Sequence, residues 1–248
     1  MDGTLALRTT RAVDEAQAPA AWTERIGGIA ALLLAAGYVA IMPLFASVGA
    51  PVEGVVERLD YHTTGTTAWW GIVGLSVITD LLFVPVAIAL YTTLRRISQP
   101  AMLAATVFTL MFVILDLAVL WPAKVSLITL GEAYGSASGP AREALVAAAT
   151  YPAAVLDSDL TPVYSVLTLG IGILVASLVM LRSGTGRVTA WVGVATGALG
   201  IASVGETIVT GSFPALVVGA SLLTIVWLVL VGVALVRPGP GGHPDQAA

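Results

Sequence analysis

The chain has no cysteine, only two histidines and few charges, since Asp, Glu, Lys and Arg make up 10% of its 248 residues. The lack of cysteine excludes disulfides, thiolate metal sites and a cysteine nucleophile. Two histidines, His62 and His243, are too few for a multi-histidine metal cage. The charged fraction is far below the roughly 25% of an average soluble domain. Such a chain is better suited to lipid than to water.

The charge that remains is mild and scattered. The net charge is −4, and the 11 basic residues form no patch beyond Arg95 and Arg96, so we expect no binding to nucleic acid. The sequence also contains no Gly-rich phosphate loop, nucleophile elbow, His-Glu-x-x-His pair or dinucleotide fingerprint. Because no nucleophile can be paired with a base, we do not expect an enzyme. We expect no catalytic residue, no metal ion and no cofactor.

Long apolar stretches fill most of the chain, in which 57% of the residues are hydrophobic. About 20 apolar residues suffice for a helix to cross the hydrocarbon core of a bilayer. The fold class that we predict is therefore all-α, a polytopic membrane protein with a bundle of six transmembrane helices. This domain occupies residues 25–236, with spans at 25–48, 69–94, 101–121, 160–181, 188–210 and 214–236.

The segments that flank this domain are polar. Residues 1–24 are of mixed charge and residues 237–248 are rich in proline and glycine, so we expect both segments to be disordered and cytoplasmic. The first apolar stretch is longer than the core of a secretory signal, which has about 7–15 residues. We therefore expect the first span to remain in the protein as an anchor.

The positions of arginine and lysine predict the orientation, because cytoplasmic loops of membrane proteins carry an excess of both. With a cytoplasmic amino terminus, the outer segments hold only Arg58, Lys124 and Arg142, and the other eight of the 11 basic residues are cytoplasmic. We therefore predict a multi-pass protein of the cell inner (plasma) membrane with both termini cytoplasmic.

Two outer segments, residues 49–68 and 122–159, are longer than tight turns. The second contains a predicted helix at 140–156, with Pro140 at its first position and Glu143 near the positive end of the helix dipole. A plain connector and a gate over the mouth of the bundle both fit this helix. We expect the tryptophans at the outer boundary to be interfacial anchors: Trp69, Trp70 and Trp121.

Small residues and prolines predict how the helices pack. Gly193 and Gly197 have the small-xxx-small spacing that allows two transmembrane helices to approach closely. The fifth span is therefore a candidate for a central, tightly packed helix. Pro43 in the first span and Pro85 in the second are expected to bend their helices.

Three carboxylates, Asp80, Asp116 and Glu206, interrupt the apolar spans, and no Lys or Arg lies deep within a span. An acid in hydrocarbon costs several kcal/mol, so each should face the bundle interior or a water-filled cavity. All three are expected in the outer half of the membrane or near its midplane. Hydroxyl side chains lie about one helical turn from two of these acids. The candidate binding residues are Asp80, Asp116, Glu206, Ser76, Ser203 and Thr210.

Asp116 has only apolar residues one turn away on its own helix, so its partner must come from elsewhere in the fold. Lys124 and Arg142 are the nearest basic candidates. One interpretation is that the acids are neutral and fix helix packing by hydrogen bonds. The other is that they converge on a polar cavity, open to the outside, that binds a proton or a cation.

Three functions are compatible with these features. The first is a small transporter or receptor-like protein whose acidic cavity, closed by residues 122–159, takes a small cation, a proton or a small-molecule ligand. The second is a non-catalytic membrane component that modulates a partner protein, with purely structural acids. The third, an intramembrane enzyme acting on a lipid, has the least support. The lipid bilayer is the only partner that the sequence identifies.

His62 lies in the outer segment after Tyr61. A histidine there titrates near neutral pH in its ordinary state and could join the acids as a metal ligand. The more common outcome for such a histidine is an exposed or interfacial ring.

The layout resembles a bacterial six-span membrane family known only as a domain of unknown function. The resemblance rests on residues 75–80 leading to 89–91 and 94–96, on Asp116, on residues 156–159, and on residues 186–193. It covers roughly residues 24–236 and implies the same topology. It implies no activity, and the chain departs from the family pattern by carrying Glu206.

Overall fold

The computed structural model describes residues 3–49, 52, 54–158, 160–184, 186–210 and 215–237. Side chains at 3–21, 210 and 215 lie outside this description, as does the tail at 238–248 for which we predicted disorder. In the described part every regular element is helical. The nine α-helices are α1 (Gly3–Val48), α2 (Val55–Thr63), α3 (Thr66–Leu94), α4 (Gln99–Leu115), α5 (Trp121–Tyr134), α6 (Pro140–Asp157), α7 (Thr168–Ser183), α8 (Arg187–Thr210) and α9 (Ala215–Val236).

Within the described ranges, six helical segments are long and apolar enough to cross a bilayer. This finding confirms the predicted all-α, multi-pass bundle. Most span bounds lie close to the predicted ones. The observed spans are Trp22–Val48, Thr66–Leu94, Gln99–Tyr134, Val163–Ser183, Arg187–Val209 and Leu216–Val236.

The third span is much longer than predicted. We expected it to end near Trp121, but the helix continues through Pro122 to Tyr134, so residues 122–134 are not a loop. A π-helical turn at Asp116–Leu120 makes this possible. A proline ring clashes with the carbonyl group of residue i−4 in a regular helix, and the wider π turn directly before Pro122 relieves that clash.

The six spans form a closed ring in which each helix packs against its neighbours in the sequence. Around the ring the order is α1, α3, α4, α7, α8 and α9, and α9 packs back onto α1. Short connections join α3 to α4, α7 to α8 and α8 to α9, and such connections favour the packing of antiparallel neighbours. The ring was not predicted, because hydropathy identifies spans without saying which ones touch.

Three further helices, α2, α5 and α6, pack together beside one end of the ring; we call them the side helices. They share a small apolar core of Leu59, Leu127, Tyr134, Ala149 and Ala153. Arg58 of α2 forms a salt bridge with Asp157 of α6. We call the end of the ring beside them the side-helix end and the other the opposite end. The predicted helix at 140–156 is observed as α6, with Gly139 as its N-cap.

Residues 3–24, within the segment for which we expected disorder, form the first part of α1. The structure describes α1 as helical from Gly3 onward. The segment is rich in alanine, the residue with the highest helix propensity, and it runs without interruption into the first apolar span.

The predicted close packing of the fifth span is observed where α8 meets α7. A Cβ atom at Gly197 would lie 2.6 Å from the carbonyl oxygen of Gly170. Gly193 is equally tight, because a Cβ there would meet Ser177 and Trp227. Glycine at these positions allows the helix backbones to touch, which is how transmembrane helices gain packing contacts.

We expect Gly197→Ala to lower the thermal stability of the protein, because overpacking a filled contact costs about 1–3 kcal/mol. Gly205→Ala on the same helix is the matched control, since nothing lies within 4 Å of a Cβ there. Alanine should leave the stability unchanged or raise it at that position, because it favours helix over glycine. Thermal unfolding in lipid nanodiscs measures both variants. Equal effects at the two positions would contradict the packing.

Candidate functional site

A cavity of about 420 Å³ lies inside the ring and is lined by residues from all six spans. The lining residues of α1, α7 and α9 come from the halves of these helices nearer the side-helix end. Asp80 of α3 and Asp116 line this same cavity, and so does Ser76. The sequence therefore identified three residues that share one space.

The other candidate residues are placed differently. Ser203 is fully buried and donates a hydrogen bond to the carbonyl oxygen of Gly200 at 2.7 Å. Glu206 is half-buried. Neither Ser203 nor Glu206 is among the described residues that line the cavity. The side chain of Thr210 lies outside the described residues.

Asp80 is buried and has a specific partner. The indole Nε1 of Trp121 donates a hydrogen bond to Asp80 Oδ2 at 2.6 Å. We expected Trp121 to be an interfacial anchor, but it lines the cavity and contacts this acid. The π turn explains the placement, because residues i and i+5 lie closer to one face of a π turn than of an α-helix. Asp116 and Trp121 therefore both face the cavity.

Asp116 is 5% exposed, and its Oδ1 atom has no hydrogen-bond partner within the described part of the chain. The two basic residues that we considered for it lie elsewhere. Lys124 lies over the ring of Trp69, at 4.1 Å from the ring centroid, and Arg142 lies over Tyr134 at 3.9 Å. A buried carboxylate oxygen without a hydrogen-bond donor is costly, so a donor placed in the cavity beside this atom would be favourable.

Several hydroxyl groups in the cavity already donate to their own helices. Each is bonded to a carbonyl oxygen three or four residues earlier, at 2.8–3.0 Å: Thr79, Ser165, Thr196, Ser221 and Thr224. A hydroxyl group has one hydrogen to donate and two lone pairs. Because the hydrogen of each of these groups is already bonded to its own helix, the hydroxyl oxygen can only accept a hydrogen bond from a molecule in the cavity.

We did not predict these hydroxyl residues individually from the sequence. Only the general principle that polar residues face the interior applied to them. Serine and threonine are ordinary in transmembrane helices, and nothing in their spacing joins five residues from four helices. Ser165 also belongs to a second π-helical turn, Val163–Leu167. Such turns are frequent at functional sites, but hydropathy does not reveal them.

His62 does not belong to this cavity. Its ring is 1% exposed and lies 4.6 Å from the ring of Trp69, measured between centroids. The expectation of an exposed or interfacial ring is therefore wrong, as is anchoring by Trp69, which is also 1% exposed. The pKa of His62 is lowered to about 4, mainly by burial and also by the charges of Lys124 and Arg58, while a hydrogen bond with the Arg58 carbonyl group acts in the opposite direction. The ring is thus neutral at pH 7.

The described residues contain no cluster of three or more His, Cys, Asp or Glu side chains that could hold a metal ion. The segment 122–158, which we considered as a gate, also contributes nothing to the described lining of the cavity. It packs against α2 and beside α3 instead.

Comparison of the chain with protein-family models, with curated proteins and with solved structures found no match. The topology and the site therefore rest on the residues and contacts of this chain alone.

We expect Trp121→Phe to destabilise the protein by about 1–3 kcal/mol, because it leaves a buried carboxylate oxygen without its donor. Trp70→Phe is the matched control, since Trp70 also donates to a carboxylate, Glu132, but is 43% exposed. Water can replace that donor. Thermal unfolding of both variants at pH 7 is the measurement. A loss at Trp70 as large as that at Trp121 would contradict the assigned role of the Trp121–Asp80 bond.

Proposed function

We propose that this membrane protein binds a small organic cation in the central cavity, as a transporter or a receptor-like protein. The observation that carries the proposal is the chemistry of the lining, which combines two carboxylates with five hydroxyl groups that can only accept. Such a lining is complementary to a ligand that donates hydrogen bonds and carries positive charge, such as an ammonium group.

The charge balance supports the same ligand. The described residues that line the cavity include no lysine, arginine or histidine, so the two carboxylates have no basic neighbour in that lining. Charges within a bilayer pair with one another or mark the path of a ligand. A cation between Asp80 and Asp116 would supply the missing partner.

The rest of the wall favours an organic cation over a bare metal ion. Tyr38, Phe112 and Trp121 place aromatic groups at the cavity, and most other lining residues are apolar. Aromatic faces attract organic cations, and apolar walls favour the carbon skeleton of a ligand. A volume of about 420 Å³ suits a small molecule.

The orientation that we propose places the side-helix end outside the cytoplasm. The side helices carry three basic residues, Arg58, Lys124 and Arg142. At the opposite end, one arginine pair, Arg95 and Arg96, lies between α3 and α4, and a second pair, Arg182 and Arg187, lies where α7 ends and α8 begins. The excess of basic residues at the opposite end supports a cytoplasmic location for it. The cavity would then lie in the outer half of the membrane.

Benzylamine and its uncharged analogue benzyl alcohol test this proposal. We expect benzylamine at pH 7 to raise the thermal unfolding temperature of the protein in nanodiscs, and benzyl alcohol to have a much smaller effect. Asp116→Asn should weaken benzylamine binding by roughly ten- to a hundredfold, because a hydrogen bond to a charged group contributes about 1.5–3 kcal/mol. Asp80→Asn should also weaken benzylamine binding, although the amide oxygen of this variant can still accept the hydrogen bond from Trp121.

Glu143→Gln is the control for this experiment, because it removes an exposed acid from α6. It should bind benzylamine as the unmodified protein does. If the two aspartate variants also bind benzylamine normally, or if benzyl alcohol stabilises the protein as strongly, the cation site is refuted.

A second candidate function is a non-catalytic membrane component that modulates a partner protein. The bond from Trp121 to Asp80 favours it, because an acid satisfied by its neighbour needs no ligand. On this alternative both aspartate variants would change stability alone. The unpartnered oxygen of Asp116 is the observation that favours the cation site instead.

A further inference from the structure

The helices α1 and α9 touch closely at the opposite end of the ring. A Cβ atom at Gly28 would lie 2.9 Å from the carbonyl oxygen of Gly232, and a Cβ at Gly232 would lie 2.9 Å from that of Gly28. Two glycines facing each other bring the two backbones into direct contact. The ring is therefore firmly closed between α1 and α9 at this end.

Toward the side-helix end the same two helices contribute little to the core. In the main core, α1 supplies buried residues from the range 30–35 and α9 supplies Trp227, Leu228 and Val231. All of these lie in the halves nearer the opposite end. In the other half of α1, from Tyr38 to Val48, Ile41 is the one buried residue. Pro43 lies in this half, and an interior proline favours a bend.

Three residues of α1 and α9 toward the side-helix end line the cavity and are also exposed. Met42 and Phe45 of α1 are 40% and 45% exposed, and Ser221 of α9 is exposed as well. A side chain that lines a cavity and is also exposed lies at its rim. The cavity thus opens between α1 and α9, and we call this opening the lateral rim.

The lateral rim lies within two apolar spans, Trp22–Val48 and Leu216–Val236. At that depth the surrounding medium is hydrocarbon, not water. The rim itself is apolar apart from the Ser221 hydroxyl group, which donates to the carbonyl oxygen of Val217. An apolar rim leading to an acidic interior matches a molecule with an apolar tail and a cationic head.

We infer that the ligand is a single-chain cationic amphiphile that enters from the bilayer through the lateral rim. Its ammonium group reaches Asp80 and Asp116, and its alkyl chain stays between α1 and α9 in contact with lipid. An amine can cross the rim as the neutral base and regain its proton beside the carboxylates. This inference rests on the proposed function, because the head group is the cation assigned to the cavity there.

A single reporter thiol tests the route of entry. The chain has no cysteine, so Ser165→Cys places the sole thiol in the π-helical turn directly before α7. The helix α7 lies across the ring from α1. In nanodiscs we compare benzyl methanethiosulfonate, which dissolves in lipid, with 2-(trimethylammonium)ethyl methanethiosulfonate, which stays in water. We expect the charged reagent to react at least about tenfold more slowly, because its permanent charge must leave water to pass the rim.

Larger side chains at the lateral rim provide the second part of the test. Ser221→Trp in the Ser165→Cys protein should slow the benzyl reagent, and Met42→Trp on the facing helix should do the same if the first variant folds poorly. Glu143→Cys, exposed on α6, should react with both reagents, and Ser177→Cys, fully buried outside the cavity, should react with neither. Equal rates for the two reagents at Ser165→Cys, or no effect of either tryptophan, would overturn the lateral route.

Decylamine separates this inference from the proposed function. Decylamine should protect Ser165→Cys from the benzyl reagent, and Asp116→Asn should remove the protection. Entry through the rim without protection by decylamine would overturn the amphiphilic ligand and the cation site together. Rapid reaction with the charged reagent combined with protection by decylamine would leave the cation site intact and refute only the lateral route.

Discussion

Burial of a carboxylate in hydrocarbon is the constraint that organises this molecule. An aspartate at the centre of a transmembrane helix is unfavourable by about 3 kcal/mol on insertion scales, and this chain carries two of them against one cavity. The closed ring keeps both away from lipid. The indole of Trp121 satisfies one oxygen of Asp80, and Asp116 lines the cavity with its Oδ1 atom unpartnered among the described residues.

The π-helical turn at Asp116–Leu120 connects fold and site. It allows the third span to continue past Pro122, and it places Asp116 and Trp121 on the cavity side of one helix. A regular helix would separate these two residues around its axis, so Trp121 could not both line the cavity with Asp116 and reach Asp80. The same turn lengthens the span to 36 residues, or about 54 Å at 1.5 Å per residue, which is more than the hydrocarbon core requires. The surplus forms α5, against which the other two side helices, α2 and α6, pack.

Hydropathy was sufficient to predict the class of fold and five of the six spans. Length and composition decide those features, and they are local properties of the sequence. The continuation of the third helix past Trp121 was missed, because Pro122 and Lys124 look like a loop unless a π turn precedes them. The role of Trp69 was wrong because this side chain is buried against His62 and Lys124. The role of Trp121 was wrong for a reason related to the third span. The rule for interfacial tryptophans applies to helices that end at the membrane surface, and the third helix does not end there.

The candidate site was predictable only in part. Asp80, Asp116 and Ser76 share one cavity because acids and hydroxyl groups avoid lipid. Which accepting hydroxyl groups join them there depends on the order of the helices around the ring, and the sequence of a single span does not reveal that order. The most direct measurement of the central claim is a crystal structure with 4-bromobenzylamine, using the anomalous signal of bromine. We expect a bromine peak inside the ring, with the amine within hydrogen-bond distance of Asp116 or Asp80. A cavity filled by side chains, or bromine found only among lipids and outer grooves, would contradict it.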